Sequence, residues 1–258
     1  MTGALTRGAF GLIVIGDEIL VGKRADKHFT YFRSLLAERG LPLGWHWVLP
    51  DEPKTIIVHF ELSLRLGGPV FVCGGIGATP DDHTRACAAA AVGVRLVRHP
   101  GALAAIEARF GADAYPHRVL MADLPQGAEI IPNPYNRIPG FSIARHFFLP
   151  GFPEMAWPMA EWVLDTRFKD SGEGLRERSV WVEGVVESQL LPMLERLDAQ
   201  FRGVKLFSLP RLGDPPMVEI GFRGRSEVEA AYAELRRLLN VAGMAYREVD
   251  DGGVVAAP

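Results

Sequence analysis

Cysteine is nearly absent, with two residues among 258. That excludes a disulfide scaffold and points to a reducing, cytoplasmic setting. An excess of charge of one sign is also missing. Residues 1–170 hold 17 basic and 17 acidic side chains, and residues 171–258 hold 11 and 14. Neither part offers the basic field that nucleic acid needs, so no nucleic-acid partner is expected. The longest apolar runs, such as residues 86–94, fall far below the ~20 residues of a membrane-spanning helix, so no membrane partner is expected. Residues 1–11 carry one Arg and no apolar core, which predicts no secretory signal. Tandem repeats and low-complexity tracts are lacking too. What is present is 48% hydrophobic and 23% charged residues, the balance of a soluble globular chain with a large core.

Short apolar runs alternate with helical patterns through the first two thirds. Strands are predicted over residues 10–15, 45–49, 70–73, 94–97 and 147–149. Helices are predicted over 27–39, from 51 to about 66, and over 84–91, 102–110 and 154–167. Asp26 and Asp51 stand where N-caps belong, and Pro53 suits a first turn, where its missing N–H costs nothing. Phe29, Phe32, Leu35 and Leu36 are assigned to the apolar side of the first helix. The strand runs are continuous rather than alternating. The fold class is therefore α/β, a mostly parallel sheet with helices on both faces. Residues 169–174 read as a linker between a domain over 1–170 and a small module over 171–258. That module shows strands at 179–186, 204–209 and 217–223 and helices at 188–201 and 227–239, a βαββα order with a frayed tail at 250–258.

The strongest local signal is Gly74-Gly75-Ile76-Gly77-Ala78-Thr79-Pro80-Asp81-Asp82-His83-Thr84, between a buried strand and a helix. Gly74, Gly75 and Gly77 let the backbone turn tightly and approach a ligand. The free N–H groups at the helix start, with Thr79 and Thr84, suit a phosphate. The segment has neither the Gly-Lys-Ser/Thr ending of a P-loop nor the dinucleotide spacing.

Acids recur after successive strands: Asp17-Glu18 beside Gly16, Asp51-Glu52, Asp81-Asp82, and Glu154 after Pro150-Gly151. In a parallel sheet, ligands bind outside the carboxyl ends of the strands. Such a ring of acids can bind a divalent ion, activate water, or hold ligand hydroxyls and ring nitrogens. The segment from Asn133 through Pro139 and Gly140 also looks shaped for close backbone approach, and its Arg137 can meet a phosphate.

With these motifs the sequence resembles the molybdenum-cofactor-binding family, and within it the N-terminal part of CinA-like (competence/damage-inducible) proteins. The resemblance rests on three segments. They are Ile15-Gly16-Asp17-Glu18-Ile19-Leu20 with Gly22 and Asp26, the glycine loop through Thr84, and Phe148-Leu149-Pro150-Gly151-Phe152-Pro153-Glu154-Met155. It covers about residues 8–168. The remainder resembles the small KH-type module of such proteins, through Gly184, Glu187 and Ser188. A counterpart of their C-terminal amidohydrolase domain is not expected in this chain.

The resemblance implies a sheet-edge pocket for molybdopterin or a nucleotide, a phosphorylated small molecule. It implies that the chain forms homo-oligomers. For an enzyme it implies a nucleotide pyrophosphatase of ADP-ribose or FAD type, dependent on a divalent metal (Mg or Co). Asp82, Asp81 and Asp51 would then be catalytic, with Asp17 and Asp81 at the metal. Gly16, Asp17, Glu18, Asp26, Gly74, Gly75, Gly77, Thr79, Thr84, Pro139, Gly140, Pro150, Gly151 and Glu154 would bind ligand. The alternatives are a binding protein without turnover and an interaction module. The chain departs from the family at Lys27, His28, Ala78, residues 135–138 and Phe152. Gly221-Phe222-Arg223-Gly224 spells the GxxG of RNA-binding KH domains but ends a strand instead of joining two helices.

Overall fold

A computed structural model describes residues 9–169 and 176–249. The expected linker beyond Lys169 and the expected tail over 250–258 lie outside the described residues. The chain divides into two compact units, Met1–Gly172 and Glu173–Pro258.

The first unit begins with β1 (Phe10–Ile15), α1 (Asp17–Leu20), α2 (His28–Glu38), β2 (Leu43–Leu49) and α3 (Pro53–Leu66). It continues with β3 (Val70–Cys73), α4 (Thr84–Val92), β4 (Leu96–Arg98) and α5 (Pro100–Phe110). It ends with β5 (Asp123–Pro125), β6 (Glu129–Ile131), β7 (Gly140–Ile143), β8 (His146–Leu149) and α6 (Pro153–Arg167). The main sheet has the order β2-β1-β3-β8-β7-β6. Its first four strands run parallel, and β7 and β6 are antiparallel additions.

The continuous apolar strands are buried because both faces are covered. Ile13, Val70, Val72 and Phe148 pack with Ile56 and Phe60 of α3, Cys87 of α4 and Ile106 of α5. Leu12, Phe71 and Phe147 pack with Phe32 and Leu36 of α2 and Met159 and Val163 of α6. Truncating a fully buried ring such as Phe71 costs about 3–5 kcal/mol, from lost transfer and the cavity left. Cys73 and Cys87 are free and buried.

Four expectations change. Strand 94–97 is the short β4, which pairs antiparallel with β5 in a separate two-stranded sheet. Residues 115–140, a Pro-containing stretch to which the sequence assigns no element, contribute β5, β6 and the start of β7. Three-residue strands leave too little periodicity to register in a sequence. Phe29 is exposed and stacks on His46, ring centroids 4.9 Å apart, instead of facing the core. Asp51 does not cap α3. Glu52 does, accepting from the N–H groups of Lys54 (3.2 Å) and Thr55 (2.6 Å).

The second unit contains β9 (Arg176–Glu183), α7 (Glu187–Gln200), β10 (Lys205–Arg211), β11 (Met217–Gly224), α8 (Val228–Val241) and β12 (Tyr246–Glu248). An antiparallel sheet of order β10-β11-β9-β12 packs Val180, Val182, Ile220 and Phe222 against Leu190, Leu197, Leu235 and Leu239 of the two helices. β12 extends the expected βαββα order by one strand.

Candidate functional site

Because β2, β1, β3 and β8 are parallel, the segments following them emerge at one edge. Gly16 N–H donates to Leu49 O (3.1 Å), and Gly74 N–H to Leu149 O (3.0 Å), which holds the strand ends level. A cavity of about 480 Å³ opens there. Its walls are Ile15, Gly16 and Glu18 after β1, Asp51 after β2, residues 74–79 with Asp81 and Asp82 after β3, and Pro150, Gly151, Phe152 and Met155 after β8. Arg24, Met121, Asn133, Asn136, Ile138 and Pro139 complete it.

The glycine loop is shaped by its successor helix. Gly74 and Gly75 have φ of 112° and 66°, conformations that side-chain-bearing residues rarely adopt. Buried Thr84 donates its hydroxyl to Gly74 O (2.9 Å) and its N–H to Gly75 O (3.0 Å). Thr84 therefore fastens the loop from behind and does not line the cavity. Two carbonyls are thus tied back. Among the described residues, the N–H groups of Gly75, Ile76, Gly77 and Ala78 meet no acceptor in the protein. Unpaired donors on a glycine turn make an anion-binding concavity.

Arg85 lies beneath this turn at 8% exposure. Its guanidinium donates to Gly77 O (2.6 Å), Asp123 O (3.2 Å) and Leu120 O. No carboxylate pairs with it among the described residues. Burial lowers its pKa, while Asp82 and Asp123 act the other way. A fixed cation therefore sits under the loop, and it ties the loop to the segment carrying Met121.

The acids do not form one cage. Asp51 Oδ2 accepts from Asp17 N–H (2.9 Å), and Asp17 Oδ1 from Asp51 N–H (3.3 Å). Asp82 Oδ2 accepts from Thr79 N–H (2.8 Å) and from the Thr79 hydroxyl. Among the described residues, no three Asp, Glu, His or Cys side chains converge as metal ligands. Of the expected metal pair, Asp81 lines the cavity, whereas Asp17 does not and has its Oδ1 engaged by the Asp51 N–H. Burial raises the Asp51 pKa, and the negative charges of Asp17, Glu18 and Asp81 add to this against the Asp17 N–H.

Of the expected ligand residues, Gly16, Glu18, Gly74, Gly75, Gly77, Thr79, Pro139, Pro150 and Gly151 line the cavity, as do Asp51, Asp81 and Asp82. Asp17, Asp26, Thr84, Gly140 and Glu154 do not. Asp26 caps α2, accepting from His28 N–H (2.7 Å), and lies 3.2 Å from His46 Nε2. Gly140 is buried in β7, where a Cβ would strike Phe148 O. Gly151 passes so close to the glycine loop that a Cβ on it would lie 3.4 Å from Gly74 Cα. Sequence reasoning singled out neither Arg24 nor Met121, and it named Asn133, Asn136 and Met155 only as members of quoted segments. Arg24 lies between the motif positions Gly22 and Asp26, and Met121 lies in a segment without a motif.

The family described as a probable molybdopterin binding domain matches residues 11–170. A CinA-like protein of Gloeobacter violaceus is 33% identical over 215 residues, 79% of this chain and 50% of that protein. One from Geobacter metallireducens is 31% identical over 255 residues, 95% of this chain and 60% of that protein. The chain thus spans about half to three fifths of these relatives. The crystal structure of the protein CinA, of unknown function, from Thermoplasma acidophilum superposes with a TM-score of 0.57 at 27% identity, covering 61% of this chain and 97% of that one.

Proposed function

The chain belongs to the family of probable molybdopterin-binding domains, with CinA-like proteins among its relatives, and on that premise we propose that it binds a phosphorylated pterin or nucleotide at the β3–α4 glycine loop. The carrying observation is the row of unpaired N–H groups at residues 75–78 above the buried Arg85 cation. Backbone donors and a fixed charge offset the four carboxylates of the cavity, Glu18, Asp51, Asp81 and Asp82. The exposed ring of Phe152, with the Arg24 guanidinium 6.0 Å from its centroid, offers a face on which a planar heterocycle stacks. Thermal shift with inorganic pyrophosphate, GMP and a pterin phosphate tests the reading. Binding of ligand raises the unfolding temperature; no shift with any of them at millimolar concentration overturns it.

A second reading, hydrolysis of a pyrophosphate bond in an ADP-ribose or FAD type nucleotide, is favoured by Asp51. A carboxyl with a raised pKa at the rim of an anion cradle suits proton transfer to or from the water that adds across P–O–P. The residues give a divalent ion no ready cage, so no step is assigned to one. Release of AMP from ADP-ribose, measured with and without Mg or Co and lost in Asp51→Asn, is the test. The ligand site is assigned to the domain over 1–170, and the KH-type module over 171–258 is taken to serve assembly. Self-association is proposed as well, and light scattering at micromolar concentration checks it.

A further inference from the structure

The segment between β6 and β7 places one side chain in an unusual state. Asn133 lines the cavity and is only 4% exposed. Its Oδ1 accepts from the N–H of Tyr135 (3.0 Å) and of Asn136 (3.4 Å). These two bonds fix which end of the amide is oxygen, because an NH2 group there would face two donors. The Nδ2 group, with two N–H donors, is therefore turned the other way. It is buried and meets no acceptor in the protein.

A buried amide donor left unpaired costs about 1–3 kcal/mol. Such a group in a cavity wall calls for an acceptor that arrives with the ligand. The surroundings indicate which one. Asn136, in the same turn, gives its own amide to Met155 Sδ (3.0 Å), and Ile138 follows. This stretch of wall holds no charged side chain, whereas the glycine loop already supplies unpaired donors for an anion. We infer that Asn133 is a specificity-determining residue whose Nδ2 donates to a neutral acceptor, a ring carbonyl, on the heterocycle of the bound ligand. The inference rests on the phosphorylated-ligand reading and adds what the ring must present. A 6-oxo purine or an oxo-pterin satisfies the amide. A 6-amino purine turns donors against it.

The test compares inorganic pyrophosphate, GMP and AMP as probes by calorimetry on the full chain. GMP and a pterin share the amino-oxo pyrimidine edge. The parent protein is expected to bind GMP more tightly than AMP. Asn133→Ser keeps a side-chain oxygen for the turn and removes the two amide donors without adding charge, its own hydroxyl ending one bond short of where Nδ2 stood. It should weaken GMP about 10- to 100-fold, the usual consequence of losing one buried hydrogen bond, and leave pyrophosphate within about threefold. Asn133→Asp keeps the turn acceptor and reverses the polarity of the free end. It should bind AMP better than GMP whatever its overall affinity, so the ratio remains decisive even if Asn133→Ser does not fold. Unchanged GMP affinity in Asn133→Ser, or an unchanged GMP-to-AMP ratio in Asn133→Asp, overturns the assignment. Equal losses for pyrophosphate and GMP in Asn133→Ser place the amide on a phosphate and overturn it too. A parent chain that binds none of the three probes removes the ligand reading itself.

Discussion

Asp17 and Asp51, which follow adjacent strands, exchange hydrogen bonds: each carboxylate accepts the other's backbone N–H, at 2.9 and 3.3 Å. Two like charges are thereby held together, and the raised pKa of Asp51 follows from its burial and from that proximity. An acid whose folded pKa lies above its ordinary value opposes folding once ionised. The penalty is absent below the unfolded value of 3.8 and grows as pH rises toward the folded one. Asp51→Asn keeps an oxygen for Asp17 N–H and removes the charge. It is expected to melt higher than the parent at pH 7, with the difference shrinking toward pH 4. Calorimetric scans at both pH values check this.

Gly75 has φ of 66°, and a Cβ there would collide with the Thr84 hydroxyl. Gly75→Val is expected to cost about 1–3 kcal/mol in backbone strain, plus the displacement of Thr84. A domain of this size has about 5–15 kcal/mol of stability. The variant should therefore fold, melt lower, and bind pyrophosphate at least about 100-fold more weakly, since two or more donors leave their places. Circular dichroism and calorimetry on one sample separate the two effects. Parental affinity in a folded variant would show that the loop is not the cradle.

Phe152 is 53% exposed, so Phe152→Ala should change stability little. Stacking of a base on an aromatic ring is worth about 1–3 kcal/mol. GMP binding should weaken about 5- to 150-fold, and pyrophosphate binding should not change.

Replacing Arg85 with Met keeps the length and volume but strands the carbonyls of Gly77, Leu120 and Asp123. A loss of about 2–4 kcal/mol in urea unfolding is expected. Pyrophosphate affinity should fall as well, with Arg85→Lys intermediate in both measurements.

His28 is buried, its Nε2 lies 3.0 Å from Gly151 O, and its Nδ1 has no partner. Burial pushes the imidazole below its ordinary value of 6.5, partly countered by Gly151 and Asp26. A base depressed in the folded state is neutral there while the unfolded chain takes up a proton. Stability is therefore full above 6.5 and declines as pH falls from 6.5 toward the folded value. His146, bonded to Ser63 at 2.7 Å and also depressed by burial, acts with the same sign. His28→Leu should be less stable than the parent at pH 7 by about 1 kcal/mol, with a shallower decline between pH 6.5 and 5.

The parallel core was legible because β1, β3 and β8 are buried on both faces and so spell unbroken apolar runs. The glycine loop was legible because Gly74 and Gly75 need conformations that few other residues take. Asp51 and Glu52 show what sequence cannot separate. By type Asp51 is the better N-cap, yet the direction of the chain leaving β2 gives the cap to Glu52 and the cavity to Asp51. Arg85 sits in an Ala-rich helix and reads as a solvent-facing charge. Its burial depends on Leu120 and Asp123, more than thirty residues away. Asn133 opens a segment whose sequence suggests only close backbone approach, whereas which of its amide atoms is satisfied is a property of the folded turn.

The near contact of Gly151 with Gly74 bears on the speed of ligand capture. Two loops packed so that even one added Cβ would bring them into van der Waals contact, the first tied to the end of β8 through Gly74 N–H and the second to His28 of α2 through Gly151 O, leave little room for a hinge between them. The floor of the cavity is therefore assembled before any ligand arrives, and no ordering step has to precede or follow the encounter. Stopped-flow mixing should give a single phase whose rate rises linearly with ligand concentration, without the plateau that a rate-limiting rearrangement imposes.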